Sequence, residues 1–383
     1  MNHRITAACV LMLTGTGLAC AADQSAAQGA EQITAQQGNT RQDRAAVSGI
    51  LIGTFQNTSQ DRVDGQSVEA EGNGQLYLFG DRDMGPGTWH LEVRAGTTPR
   101  SRGVTRFYGE VNDSVGETVD ADGNGRIAAT QFYYELDAAG GDLAVGLLDA
   151  TGLLDANDVA DDEYTQFLGT SFVNNPSVDY PSFALGADYQ RDINDNLGFQ
   201  AFLSSSGGLG DQDDPTYGNV FDVGESGKGV FAGTEMLWEA GPLYGDVGVW
   251  YNGADHTELA HPGRDRKTNY GTYTSIGSGL AGGQWVAQGG IANDKVAAAA
   301  NFMGLAYEHP AGDVIVGTGV ARIGVSDDQP EPADSVVQAE VYARIPLGRD
   351  VYVTPDLQYV NNSGFDPTLD DVLVAGARAG LEF

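Results

Sequence analysis

Cysteine is almost absent: of 383 residues only Cys9 and Cys20 are present, and both fall in the first twenty positions. The remaining chain therefore has no disulfide framework, no cysteine-held metal and no thiol nucleophile. Lysine is nearly as scarce, with Lys228, Lys267 and Lys295 alone, and 20 basic residues stand against 53 acidic ones for a formal charge of −33. Neutralising a phosphate backbone takes clustered Lys and Arg, so nucleic acid is excluded as a partner. Beyond the N-terminus no apolar run approaches the roughly 18 residues of a spanning helix, which excludes a helical membrane protein. No Ser, His and Asp stand together in a recognisable nucleophile context, so the chain reads as a non-enzyme.

What the N-terminus does contain gives a compartment. Residues 1–21 (MNHRITAACVLMLTGTGLACA) carry a basic Arg4, an apolar stretch from Ile5 to Leu13, a Gly15/Gly17 break and the small-residue site Ala19-Cys20-Ala21. This is the build of a cleaved export signal. Acylation of Cys20 is the competing reading, against which Leu18 sits one place too close to the cysteine. Residues 22–47 follow as a Gln- and Ala-rich periplasmic leader with little to bury; glutamines at 24, 28, 32 and 36 would line one face if it were helical.

From Ser48 onward the pattern alternates with period two, as strands with two different faces require. In the last segment Leu373, Ala375, Ala377, Ala379, Leu381 and Phe383 oppose Val374, Gly376, Arg378, Gly380 and Glu382. Short Gly/Pro/Asp turns at 80–86, 138–141, 191–194, 240–242, 280–282, 310–312 and 347–349 intersperse with connections, most of them long and acidic, at 58–71, 97–127, 150–181, 205–228, 253–269, 326–334 and 362–371, with 293–298 the one short case. Turns on one rim and mostly long loops on the other predict an all-β fold, a sixteen-stranded antiparallel transmembrane barrel over residues 48–383. A soluble sandwich or propeller with the same alternation is disfavoured because the apolar faces are built of Ala, Gly and Val, and no blade-length repeat is visible. Trp238, Trp285 and Phe383 fall beside the short turns, at the level of an interfacial girdle.

A barrel this wide encloses water, so its function is passage. Alternation assigns to the lumen Glu92 and Arg94 with His90, Glu135 with Tyr133, Asp246 and Trp250 with Glu235, then Arg322, Glu340, Arg344 and Arg378 with Asp356 and Gln358. The third long loop, 150–181, is the predicted constriction. Its thirty-two residues include Asp155, Asp158, Asp161, Asp162 and Glu163 and no basic residue, while Leu153, Leu154, Phe167, Leu168 and Phe172 call for an apolar surface to pack on. Folded inward, with residues 163–172 as a helix or compact segment, the loop would turn its carboxylates to the lumen opposite the wall arginines and set up a transverse field.

The run Asp142 to Leu168 (DLAVGLLDATGLLDANDVADDEYTQFL), then Asn174-Asn175-Pro176, then Thr354 to Asn362 (TPDLQYVNN) and the close Arg378 to Phe383 resemble the carbohydrate-selective porin (OprB) family. The resemblance implies a sixteen-stranded porin in the outer membrane of a Gram-negative bacterium, passing glucose and other small neutral sugars, often as a homotrimer. The sequence departs from that pattern at Asn362-Ser363-Gly364, where the family commonly has Asn-Pro-Gly, and in its shorter, more acidic loops.

Other features leave alternatives open. The eight external loops hold 31 acidic and 10 basic residues, a net of −21, and such mouths attract cations. A general cation-preferring porin is thus the second reading, and a plugged adhesive surface barrel the third. His256, His261, Arg264, Arg266 and Lys267 make the fifth loop locally basic, as a solvated bridge to neighbouring acids. Asp120-Ala-Asp122-Gly-Asn124-Gly125-Arg126 matches the start of an EF-hand loop, with side-chain oxygens at positions one, three and five, the Arg126 carbonyl at seven, and Gln131 at twelve in place of glutamate. No cofactor is required for passage; Ca²⁺ in this external loop is the one expected addition. Calcium titrated into chelated protein is expected to raise its melting temperature, and an unmoved melting curve removes the site.

Overall fold

In the computed structural model, residues 45–120, 122–209, 217, 221, 228–263, 267–330 and 333–383 are described. The export signal, Cys20, residues 22–44 of the leader, most of the 205–228 loop, and Arg264 and Arg266 lie outside them. The strands are β1 (Ala45–Thr58), β2 (Glu71–Met84), β3 (Gly87–Gly96), β4 (Ile127–Ala138), β5 (Gly141–Leu148), β6 (Ala184–Asn194), β7 (Leu197–Ser205) and β8 (Val230–Ala240). The second half holds β9 (Leu243–His256), β10 (Lys267–Leu280), β11 (Gly283–Ala292), β12 (Ala299–Ala311), β13 (Val314–Val325), β14 (Ser335–Pro346), β15 (Val351–Asn361) and β16 (Val372–Glu382).

Each strand pairs antiparallel with its sequence neighbours, and β1 pairs with β16 (Gly53 opposite Ala379, Phe55 opposite Ala377), so the sheet closes as a sixteen-stranded barrel. None of the described helices is long and apolar enough to cross a membrane; the crossing is made by strands, whose backbone groups the ladder satisfies.

The alternation is inside-out relative to a soluble protein. On β1, Leu51 and Phe55 are exposed while Thr54 and Gln56 are buried; on β15, Leu357 is exposed while Thr354, Asp356 and Gln358 are buried. Leu203, Val247, Val249, Met303, Leu305, Val320 and Leu373 extend the outer apolar band. Near the short-turn rim the outward Trp89 stacks on Phe132 at 4.9 Å and leans on Tyr134 at 5.0 Å, widening the girdle expected from Trp238 and Trp285.

Several boundaries move. The barrel begins at Ala45, not Ser48, because β2 runs on to Met84 and offers Asp81 and Arg82 as pairing partners for Ala46 and Ala45. The 80–86 turn shrinks accordingly to Gly85-Pro86, residues 191–194 belong to β6, and β9 reaches His256 through an irregular register after Asn252. At Ala139-Gly140 and Ala281-Gly282 both turn residues have positive φ (52° and 80°, 52° and 85°), the twist that two-residue hairpins need.

Val249 lies midway along β9 on the outer face. Val249→Arg is expected to cost about 2–4 kcal/mol in urea unfolding from lipid vesicles, whereas the same change at an exposed external-loop position has little effect.

Candidate functional site

The lumen is narrowed by two loops. The third, 149–183, folds inward as expected, with a short helix α3 (Thr170–Val173) overlapping the end of the segment 163–172 expected to be compact. The second, 97–126, does the same and was not anticipated: it forms α1 (Val104–Phe107), a 3-10 turn (Gly109–Val111) and α2 (Asp113–Glu117). Its signal is present in the sequence, since Val104, Tyr108, Val111 and Val115 repeat at helical spacing inside a connection.

Apolar side chains seat both loops. Val104, Tyr108 and Val111 join Phe167 and Phe172 against Phe302, Ala306, Ala321, Tyr342, Val360 and Val374 of the wall. Phe167 stacks on Phe172 at 4.7 Å and meets Tyr342 edge-on at 5.0 Å. On the opposite side Leu148, Ala150, Leu154 and Val178 cover Phe202, Phe231, Trp250 and Tyr273. Gly233 and Gly319 admit these contacts, because a Cβ there would lie 2.4 Å from Leu154 and 2.6 Å from Phe172.

Polar wall residues then fix the loop backbones. Glu340 accepts the N–H groups of Leu168 (2.7 Å) and Gly169 (2.8 Å). Arg378, fully buried, donates to the carbonyls of Glu163 (2.7 Å) and Gln166 (2.5 Å). Glu235 accepts the N–H of Asp155 at 3.1 Å and the Tyr273 hydroxyl at 2.8 Å. Gln56 and Gln358 each donate to the Val111 carbonyl at 2.9 Å, and Gln338 donates to Glu110 and accepts from Ser171. The loops are joined to each other by Asp113 N–H to the Leu168 carbonyl, 2.9 Å.

Arg94 is the hub. Its guanidinium contacts Glu92 on its own strand, Glu117 of α2, Asp149 at 3.4 Å and Glu163 at 3.6 Å. Its flat face lies 4.8 Å from the Phe183 ring and 5.4 Å from that of Tyr77. Burial lifts the Glu163 carboxyl to about 8 against the opposing pull of Arg94, with Asp162 and Asp113 adding to the rise; burial likewise carries Asp113 to about 6 and raises Asp149.

The expected transverse field is thereby corrected. Arg94 and Arg378 are spent on the loops, and Arg322 points outward, exposed between the buried Ala321 and Ile323. Arg344 keeps its lumenal place in the row of Glu340 and Tyr342. Trp250, Asp246 and Glu340 face inward yet lie under the third loop, 3%, 2% and 2% exposed. Among the loop acids, Asp155 turns to the wall; Asp158, Asp161 and Asp162 reach the open space, and the largely buried Glu163 borders it beside Arg94.

That space is a cavity of about 400 Å³ between the third loop and β1–β7. Asp158, Asp161 and Asp162 line one side; Asp81, Glu92, Glu135, Asp142 and Asp188 line the other, with Gln131, Gln190, Gln200, Asn157 and Asn174. His90 stacks on Tyr133 at 4.6 Å and is held by Asp81 at 2.8 Å. Arg94 is the one guanidinium among the described lining residues, and its side chain is 6% exposed.

At the expected calcium loop the Asp120 carboxylate accepts the Asn124 N–H (2.8 Å) and Val119 bridges to Gly125. Gln131, the twelfth position, lies on β4 and donates to Glu92, and the Arg126 carbonyl accepts the Gly96 N–H at 3.0 Å, so that Asp120, Asp122 and Asn124 are the residues of the motif left to hold a cation. Among the described residues no three His, Cys, Asp or Glu side chains are gathered as a metal site.

A closed sixteen-stranded barrel, apolar outside and polar within, narrowed by a folded third loop, has the build of a membrane-spanning porin. No family model matches the chain. Its fold is similar to that of Pseudomonas putida OprB in a structure determined at high pH, with a TM-score of 0.68 and 17% identity over 88% of this chain and 94% of that one. A double mutant of Rh. blastica porin aligns with a TM-score of 0.51 and 11% identity over 89% of this chain and all of the other. In sequence, 84 residues are 33% identical to an uncharacterized protein of Aquifex aeolicus (strain VF5), 22% of this chain and about a quarter of that protein's length (27%). The likeness to OprB read from the sequence motifs is thus matched in the fold.

Arg378→Met removes both bonds to the third-loop backbone. Single-channel conductance is expected to rise at least twofold and the loop to become cleavable by added protease while the barrel stays folded; unchanged conductance and protection would show that the loop needs no such anchor.

Proposed function

We propose that the chain is a passive porin of the Gram-negative outer membrane for small neutral saccharides, admitting cations ahead of anions. The observation that carries this is the make-up of the passage. Carboxylates and side-chain amides line both sides and accept or donate hydrogen bonds to hydroxyl groups, and Tyr133, backed by His90, offers a ring face to sugar C–H groups. The likeness in fold to OprB supports the same reading. A general cation-preferring porin is the second reading, favoured by acids on both sides with no exposed guanidinium among the described lining residues. Assembly as a homotrimer in outer-membrane lipid belongs to this proposal through the family resemblance.

Planar-bilayer recording separates the two. A saccharide pore shows stepwise current block by added mono- or oligosaccharide, and a general cation pore shows none; failure of liposome swelling with every small solute would instead point to an adhesive barrel. In a KCl gradient the reversal potential is expected to report cation preference. Replacing Asp158, Asp161 and Asp162 together by Asn should lower the cation-to-anion permeability ratio severalfold without abolishing conductance.

A further inference from the structure

The seam between the loops and the wall carries more acid than base. At one end Glu92, Glu117, Asp149 and Glu163 converge on the single guanidinium of Arg94, and Asp113 lies beside them, bonded by Asn174 at 3.2 Å. Tyr77 of β2 and Asp162 and Tyr164 of the third loop face the same cluster, and Arg126 approaches from outside, donating to the Glu117 carbonyl. At the other end Asp155 of the loop meets Glu235 of β8 and Asp246 of β9, with Tyr180, Tyr273, Asp161 and Asp188 nearby. The partners found there are neutral: Asn175 for Asp155, the Tyr273 hydroxyl for Glu235, and Ser275 for Asp246. All three acids are at most 4% exposed.

Buried carboxylates without counter-charge are not tolerated in ionised form. The docked arrangement therefore requires protons on part of this set. We propose that the seam is a proton-dependent latch on the passage: protons held by its surplus carboxyl groups keep the third loop on the wall, and their release to lumenal water lets the loop lift and widen the pore.

The sign follows from linkage. Glu163 at about 8 and Asp113 at about 6 both lie above the ordinary carboxylate range, chiefly through burial. A carboxyl group raised in the docked state favours docking fully below its ordinary value, and that contribution is lost as pH climbs through the raised one. Docking is thus strongest below about pH 4, weakens progressively as pH climbs, and has lost these contributions a little above pH 8. Because the loops lie in the lumen, away from the lipid-facing ladder, the barrel itself stays closed through the change.

The latch rests on the chain being a conducting pore, and one set of recordings tests both. Single-channel conductance of the full chain, reconstituted in neutral lipid at 1 M KCl to screen surface charge, is followed from pH 5 to pH 10. The expected result is a low conductance to about pH 7 that rises at least twofold by pH 9. In Glu163→Gln, which cannot ionise, the rise should move up by at least one pH unit. The loop can also be held on the wall independently of its carboxyl groups: Ser177→Cys with Gly290→Cys joins loop to wall where a Cβ on Gly290 would lie 2.1 Å from Ser177 Oγ. Oxidised, this variant should conduct at the low level at every pH, and reduction should restore the rise. A flat profile in the unmodified chain, coincident profiles for it and Glu163→Gln, or a rise that persists in the oxidised pair would each overturn the latch while leaving the porin reading intact. No conductance at any pH would overturn both.

Discussion

Everything in this molecule depends on closing the ladder. In hydrocarbon an unpaired backbone group has no water to turn to, so the first and last strands must find each other. They do so through a register that runs from Ile50 opposite Glu382 to Thr58 opposite Val374, sealed by reciprocal backbone bonds between Gly49 and Phe383 of 2.8 and 3.0 Å. Gly49 also admits the Phe383 ring, since a Cβ there would lie 2.7 Å from it. Once the edge is gone the wall is fixed, and the alternation of side chains divides the chain into a lipid face and a lumenal face.

Closure then creates a second problem, a lumen too wide to discriminate. Two loops solve it by carrying a small soluble-type core into the water-filled interior: Phe167, Phe172, Val104 and Tyr108 bury against a wall that elsewhere is polar. Polar groups that alternation assigns to the pore are therefore diverted. Arg378 and Glu340 hold loop backbone, and Arg94 gathers four carboxylates from wall and loops. What remains open in the lumen is an off-centre cavity along β1–β7 bounded by acids, amides and the His90–Tyr133 pair.

Much of the wall was legible because period-two alternation is strict where one face meets lipid; the row Gln338, Glu340, Tyr342 and Arg344 could be placed inward from sequence alone. The ends of strands were less legible, since pairing at Ala45 depends on how far β2 continues, a property of the partner strand. Arg322 was misplaced because near the external rim a charged side chain can face outward into water, so polarity no longer marks the lumenal side. The site was harder still. Nothing local distinguishes an arginine that lines a pore from one buried under a loop, and Asp155 differs from Asp158 only in which way a folded backbone turns it. The second loop, by contrast, carries its signal openly, since Val104, Tyr108, Val111 and Val115 stand at helical spacing within a connection.

The backbone bond from Asp113 to Leu168 joins the two loops end to end in the lumen. Mechanically this makes the constriction a composite part, with its stiffness set as much by α1 and α2 as by the third loop. A transplant of the third loop into another barrel would carry the acids but not their brace, and an insertion in the second loop, far from any solute, would retune the aperture. Variation at such a pore therefore need not occur where the solute passes.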